Sequence, residues 1–526
     1  MSSPLFGQQD NPKLVVGIVV DQMRADYLYR YYDKYGDGGL KRLMHEGFHF
    51  KNAHFNYGPT YTGPGHAAVY TGTTPSRNGI IANNWYSRKL KRSVYCAEDT
   101  VAKAIGGSGE NGEISARNLL TTTFTDELRL FSNEKSKVVG VAIKDRGASL
   151  PAGHNPTGAY WFDDVSGDFI SSDYFMEKLP KWVDKFNSKD IAQKYASMKW
   201  ETLLDRSEYT ESMEDDNPYE RGLIGEKATL PYDLSKARKP LGALKSTPFG
   251  NTLTMDFAIA AIEGENMGQD ATTDVLAVSF SSTDYAGHAF GPRSVEIEDV
   301  YLRFDQEVER LLDYLDKNIG KGEYTVFLTA DHGVVDVPSL LRDRNYPGGY
   351  LNIAGAGQYI RQQLNERLGQ GEWIENVSND QLYLNRALIR EKGLDLEDVQ
   401  NLTRALVLET DAVADAYTAS ELTRRSLTDP FALRLQNGFN AVLSGDVMVI
   451  MNSGYLQSYG PEKGTSHGAI YTYDTHIPIL LFGKKIPAGS SVRPVTITDI
   501  APTMSLYLNI SLPSGATGIP LMEVFE

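Results

Sequence analysis

Four short apolar runs punctuate the chain, and each gives way to polar side chains at its end. Leu14 to Val20 carries no polar side chain, and Asp21 follows it directly. Its length and β-branched content predict a strand buried on both faces of a sheet. The same pattern returns at Val138 to Ile143 before Lys144-Asp145-Arg146, at Val275 to Phe280 shortly before Asp284, and at Tyr324 to Ala330 before Asp331-His332. Between the last two runs, Val300, Phe304, Val308, Leu311, Leu312 and Leu315 recur at three-to-four-residue spacing, the stripe of a crossover helix packed on a parallel sheet. Ala116 to Leu130 reads as a helix. His476 to Phe482 reads as a late edge strand, because Pro478 cannot donate to a ladder. Thr498 or Asp499 is expected to cap a final helix through Leu508.

This rhythm predicts an α/β fold with a mostly parallel central sheet flanked by helices on both faces. In such sheets ligands bind beyond the carboxyl ends of the strands, where the polar termini gather. Residues 160–250 and 338–460 fit the rhythm poorly and are predicted to be insertions in a discontinuous catalytic domain over residues 13–526. In the second insertion, the alternation of Gln381-Leu382-Tyr383-Leu384 and a helix from Leu396 to Leu408 predict a small α+β cap. The aromatic run Tyr160-Trp161-Phe162 reads as hairpin packing rather than as a substrate platform.

Composition narrows the chemistry. A chain of 526 residues with 41% hydrophobic content has room for a large core, and no stretch approaches the roughly 18 apolar residues of a membrane span. A net charge of −16 opposes the basic surface that nucleic acids or anionic membranes require. A small anionic substrate remains compatible, because metal ions and a few cations outweigh distant surface charge at one site. Cys96 is the only cysteine, so any metal is held by carboxylate, imidazole or hydroxyl groups. Met1-Ser2-Ser3-Pro4-Leu5-Phe6-Gly7 lacks the basic start and apolar core of a secretory signal, which fits a cytosolic chain or a mature exported one.

Seven residues stand out together: Asp21, Thr62, Asp284, His288, Asp331, His332 and His467. Each alone is a weak signal, but most lie at or just past predicted strand ends, and zinc accepts oxygen and imidazole ligands. Together they can hold two metals. The glycines around Thr62, in Gly63-Pro64-Gly65 before a predicted helix, suit an anion held at a helix N-terminus.

The segments Val20-Asp21-Gln22-Met23-Arg24, Pro59-Thr60-Tyr61-Thr62-Gly63-Pro64-Gly65-His66 and Thr329-Ala330-Asp331-His332-Gly333 resemble motifs of the alkaline phosphatase superfamily. Asp284-Tyr285-Ala286-Gly287-His288 and Gly464-Thr465-Ser466-His467-Gly468 extend the match. The similarity is to the PafA-type, phosphate-irrepressible bacterial alkaline phosphatases, which are related to nucleotide pyrophosphatase/phosphodiesterases. It runs from Leu14 to about Leu508 and thins in the two insertions. The resemblance implies two Zn2+ per chain, one on Asp284, His288 and His467, the other on Asp21, Asp331, His332 and the Thr62 oxygen. It further implies that Asn83 contacts phosphate and that Lys144 and Arg146 form a phosphoryl-binding cation pair. Asn84 adjoins Asn83, so the assignment is open by one residue.

The implied activity is hydrolysis of phosphate monoesters by in-line attack of Thr62 through a phosphothreonine, with metal coordination lowering the pKa of a bound oxygen from about 16 to roughly 7 for water on zinc. Lys144 and Arg146 favour a monoester dianion over a diester, which has one charge fewer. The alternatives are a phosphodiesterase or nucleotide pyrophosphatase, and a non-catalytic phosphate-binding protein. A sulfatase is disfavoured, because the nucleophile position is threonine and Cys96 lies far from it. The resemblance also implies a monomer acting on small phosphate esters, with no nucleic-acid or membrane partner, in the periplasm or outside the cell. His66 and the remaining histidines receive a structural reading.

Overall fold

The structure, a computed structural model, describes residues 11–109, 111–225, 227–458 and 462–525. The amino-terminal residues that bear on a leader peptide lie outside them. One sheet of eleven strands dominates. In chain order its strands are β1 (Leu14–Val20), β2 (Phe48–His54), β3 (Ala104–Ile105), β4 (Val138–Ala142), β5 (Gly158–Asp163), β6 (Asp168–Ser172), β7 (Asp274–Phe280), β8 (Tyr324–Thr329), β9 (His476–Gly483), β10 (Gly489–Ser491) and β11 (Val495–Thr496). In space the order is β10-β2-β9-β8-β1-β7-β4-β5-β6-β3, with β11 also on β2. Only β9 and β6 run against the other strands of this sheet.

Every residue of β1, β4, β7 and β8 is buried, as continuous apolar runs covered on both faces must be. Their registers are aligned: Val20 lies opposite Phe280, Val19 opposite Thr329, and Ser279 opposite Ala142. Whatever follows these four strands therefore emerges along one rim. The helices α1 (Thr62–Thr71), α2 (Asp145–Ala152), α3 (Pro248–Gly264), α4 (Ser282–Phe290), α5 (Val295–Leu315) and α6 (Ile500–Leu508) cover the sheet. Helices α1, α2 and α6 form one layer and α3, α4 and α5 the other, and α2 and α3 both rest on β7. The expected stripe of the crossover helix, Val300 through Leu315, is buried along α5.

Three local expectations change. The helix predicted from Ala116 is shorter, Phe124–Phe131, because Thr123 and Asp126 close a reciprocal capping box that fixes its start. β9 is an interior strand, paired on one side with β8 and on the other with β2. Pro478 is tolerated there because the β2 ladder shifts register between Ile477 and Ile479, so the missing N–H falls at a bulge. Asp499 is the N-cap residue of α6, as expected, but its side chain makes no capping bond to that helix and instead closes a box with Thr496 around the 3-10 turn just before it.

Residues 158–172 extend the central sheet as the β5–β6 hairpin, Trp161 opposite Ile170, so the stretch from 160 to 250 begins inside the sheet. Within 338–460 a separate four-stranded sheet, Ile374–Ser378, Gln381–Leu384, Val447–Met451 and Val413–Thr418, packs with helices Ile353–Leu368 and Leu396–Val407 around its own apolar cluster. Buried Asp446 joins this unit to the main body: it accepts from Arg88 Nη2, from Arg386 Nε, from Gln400 Nε2 and from the Leu384 amide.

Two carboxyls are buried together behind the sheet's helical layer, Glu220 at 1% exposure and Glu296 at 0%. Tyr232 donates to Glu296 Oε1 and Asn217 to Glu220 Oε1, while the second oxygen of each has no hydrogen-bond partner among the described residues. Burial pushes both carboxyls well above their ordinary range, and the Glu296 charge adds to the rise of Glu220. A folded-state pKa above the unfolded one stabilises the fold below the unfolded value of about 4.5, and that stability is lost as pH rises through the folded value. Glu296→Gln is therefore expected to flatten the fall in melting temperature between pH 6 and pH 10, by an amount equivalent to roughly 2 kcal/mol. Parallel melting curves for both proteins would contradict this.

Candidate active site

The site is assembled along the rim where β1, β7, β8 and β4 end. Asp21 follows β1 and is fully buried. The chain then reverses through Gln22, whose φ of 66° lies in the left-handed region. That turn lets Gln22 donate its amide to Asp331 Oδ1 (3.1 Å) and its side-chain nitrogen to Asp284 Oδ1 (2.5 Å). Asp331 and His332 follow β8. Asp284 and His288 sit one turn apart on α4, with His288 Nε2 3.1 Å from Asp284 Oδ1. His467 comes from the loop before β9; its Nε2 is 3.6 Å from Asp284 Oδ1, and its ring stacks on that of His332 at 3.4 Å between centroids.

Thr62 opens α1, with Tyr61 as the extended residue before it. The whole helix is buried, and its first turn packs so closely on the β8 loop that a Cβ at Gly65 would stand 2.3 Å from the Asp331 carbonyl oxygen. Thr62 Oγ1 lies 3.5 Å from His332 Nε2. The Gly63 amide donates to Asn83 Oδ1 at 2.7 Å, which fixes that side chain beside the helix start and turns its amide NH2 the other way. Asn84 is exposed and begins the strand Asn84–Ser87, so of the two asparagines it is Asn83 that reaches Thr62's helix.

Lys144, after β4, donates to both Asp21 Oδ2 and Asp284 Oδ2 at 2.5 Å. It thus lies between the two carboxylate groups, with the Arg146 charge near enough to oppose its own. Burial opposes its charge, but Asp21 and Asp284 raise its pKa above the ordinary lysine value. Arg146, half-buried in the first turn of α2, donates to Tyr95 Oη at 3.1 Å, and Tyr95 in turn bonds Asp145.

By distance, the ligand atoms form two sets, Asp284, His332, His467 and Asp21, Asp331, His332, each within 4.8 Å of one another. His332 belongs to both, and His288 joins the first through Asp284. The donor chemistry fits a pair of divalent cations. His332 Nδ1 faces Gly333 O, His467 Nδ1 faces Thr60 O and His288 Nδ1 faces Thr465 O, at 2.9, 2.7 and 2.8 Å. A carbonyl only accepts, so each Nδ1 carries a proton and each Nε2 faces the cluster; burial opposes the charged form of His288, but the Asp284 carboxylate 3.1 Å away raises its pKa. Burial lowers His332 to about 3 and, with the His332 ring beside it, holds His467 well below the ordinary histidine value. Both are neutral, as metal ligands must be. Asp21 Oδ1 and Asp331 Oδ2 are buried without a hydrogen-bond partner among the described residues. Burial and the Asp21 charge drive Asp331 well above the carboxylate range, while Asp284, which burial would raise, is held low by His288, Lys144 and His467. Two orphaned carboxylate oxygens against three available imidazole nitrogens call for positive charge.

All the residues singled out in the sequence lie within this region. Gln22 and Tyr95 were not among them. Gln22 adjoins Asp21 in a quoted motif, but its left-handed turn is invisible in sequence; Tyr95 lies far from Arg146 along the chain. His66, read as structural, bridges Thr62 O and Ser279 Oγ at 2.9 and 2.8 Å and is lowered by burial to about 4.

Residues 15–475 match the family model described as type I phosphodiesterase / nucleotide pyrophosphatase. The chain is 45% identical to alkaline phosphatase PafA of Elizabethkingia meningoseptica, over 100% of this chain and 97% of that protein. It is likewise 45% identical to alkaline phosphatase PhoV of Synechococcus elongatus, over 98% of this chain and 93% of the relative. Among solved structures, wild-type alkaline phosphatase PafA superposes with a TM-score of 0.94 over 98% of this chain and 99% of its own.

Proposed function

The chain belongs to the type I phosphodiesterase/nucleotide pyrophosphatase family, and on that premise we propose that it is an alkaline phosphatase that hydrolyses phosphate monoesters, with Thr62 as the nucleophile. The observation that carries this reading is the position of Thr62, whose hydroxyl opens a ten-residue buried helix 3.5 Å from His332 Nε2 and beside Asn83. The 45% identity to two proteins named alkaline phosphatases supports it.

In this reading Asp284, His288 and His467 hold one zinc, and Asp21, Asp331 and His332, with the Thr62 oxygen, hold the other. Bound there, the cations supply Lewis acidity that lowers the pKa of a coordinated hydroxyl and offsets phosphate charge. The remaining steps belong to the chain's own residues. The positive end of α1 draws the phosphoryl anion over Thr62. The Asn83 NH2 and the Arg146 guanidinium donate to its non-bridging oxygens, and Tyr95 holds Arg146 for that contact. As Thr62 Oγ bonds to phosphorus, the ester P–O bond breaks and the alcohol departs with a proton. Water then attacks the phosphothreonine, releasing inorganic phosphate and restoring the hydroxyl. Lys144, which pairs with Asp21 and Asp284, joins Arg146 as the second cation for the phosphoryl oxygens.

A charge of −16 and a buried site suit small esters rather than nucleic acids. No helix among the described residues is long and apolar enough to cross a membrane. A periplasmic or secreted location is part of the proposal, checked by fractionating the producing cells. The substrate class is tested by comparing an aryl phosphate with its methyl diester: the monoester is expected to react faster, and the reverse order favours a diesterase. Arg146→Ala is expected to cost the monoester about 10²-fold more in kcat/KM than the diester, since the second charge of the dianion loses its partner. Equal losses would remove Arg146 from substrate discrimination.

A further inference from the structure

A cavity of about 600 Å³ opens from the site, which is within the size of small-molecule pockets. Its near wall is Tyr61, His288 and His467; its far wall belongs to the four-stranded cap unit and includes Met448, and Tyr455 borders it as well. Since Tyr61 precedes the nucleophile and both histidines bound the cavity, the alcohol of a monoester held over Thr62 has this space to occupy.

Most of the wall is apolar or neutral. Among the described residues lining it, Arg221 is the only lysine or arginine, and Asp380, whose carboxylate accepts from Gln457, is the only acid. Arg221 is anchored at both ends of its side chain's base: its amide donates to Ala289 O at 2.9 Å and its Nε to Lys463 O at 2.7 Å. Those two contacts tie it to the residue after His288 and to the loop that leads into His467. Gly464 is pinched between them, for a Cβ there would lie 2.2 Å from His288 O and 2.9 Å from Arg221 Nε. The two terminal nitrogens of the guanidinium make no hydrogen bond among the described residues. The result is a planar fork of donors, held by its Nε, at the margin of a cavity that starts at the reacting centre.

We propose that Arg221 binds a second anionic group, a carboxylate or a phosphate, carried by the leaving alcohol, so that the cavity selects monoesters whose alcohol is itself an anion. This rests on the phosphatase reading. An arginine fork matches either oxyanion, and one such charge-assisted contact is expected to change selectivity by about tenfold or more.

The experiment measures kcat/KM for 4-carboxyphenyl phosphate, 1,4-phenylene bisphosphate and the neutral 4-methylphenyl phosphate, with wild type, Arg221→Gln and Arg221→Lys. The expected result is that Arg221→Gln lowers the ratio of an anionic ester to the neutral one by about tenfold or more relative to wild type, and that Arg221→Lys recovers part of it. A loss confined to the carboxylate or to the bisphosphate identifies which anion the fork takes. If Arg221→Gln slows all three esters equally, or none, the ratio stays fixed and the proposal fails, the arginine then serving only the 463–465 loop. Wild-type protein that leaves all three esters untouched would instead overturn the phosphatase reading beneath it.

Discussion

Thr62→Ala is expected to lower kcat/KM for an aryl phosphate by at least about 10⁴-fold, while Thr62→Ser keeps much of the activity. The alanine protein still has α1, the carboxylates, the histidines and the anion-attracting helix end, so substrate binding persists and only the attacking oxygen is gone. Because Thr62 is 1% exposed and packed inside a buried helix, the loss has to be separated from damage to the fold. Its melting temperature should stay within a few degrees of wild type. Acid quenching of wild type with labelled substrate should leave label on threonine, and the alanine protein should leave none. Turnover by the alanine protein at a tenth of the wild-type rate would mean that another group attacks phosphorus.

Chelation carries the second large effect. Asp21, Asp284 and Asp331 are gathered with three imidazoles around one ammonium, Lys144, and two carboxylate oxygens there lack partners among the described residues. Removing divalent cations is expected to cut turnover by at least about 10³-fold and to lower the melting temperature, since each tightly held ion adds roughly 4 kcal/mol at a thousandfold excess over its Kd. Zinc should restore both, with elemental analysis giving about two ions per chain. His467→Ala is expected to reduce that stoichiometry without unfolding the protein. Full activity in rigorously metal-free protein would remove the cations from the mechanism.

The central sheet was legible because its strands are unbroken apolar runs, and because the charged residues after them mark the ligand face of a parallel sheet. Leu14 to Val20 and Asp21 illustrate both at once. The stripe on α5 was equally plain. What failed did so where local signals compete with tertiary structure. Pro478 argued for an edge, and only the bulge against β2 explains an interior strand. The helix assigned from Ala116 yielded to the capping box at Thr123. In the site, motif spacing brought Thr62, Asp284, His288, Asp331, His332 and His467 to notice, and the structure gathers them. It could not reveal that Lys144 lies between two carboxylates, that Gln22 ties Asp331 to Asp284 through a left-handed turn, or that Tyr95 reaches Arg146, for these depend on distances between remote segments.

The strand order has a consequence for how the molecule comes into being. Among the described residues β2 pairs only with β9, β10 and β11, all of which follow β8 in the chain. Throughout most of translation, therefore, residues 48–54 are an unmated ribbon, and the loop from β2 to Thr62 hangs from nothing that can fix its direction. The growing end of the chain must return and wedge between β8 and β2 before nucleophile and histidines face one another. Such a long-range closure is slow and leaves hydrophobic backbone open to other chains meanwhile. It also means that no shortened product lacking the last fifty residues could assemble a working centre, however sound the rest of its sheet.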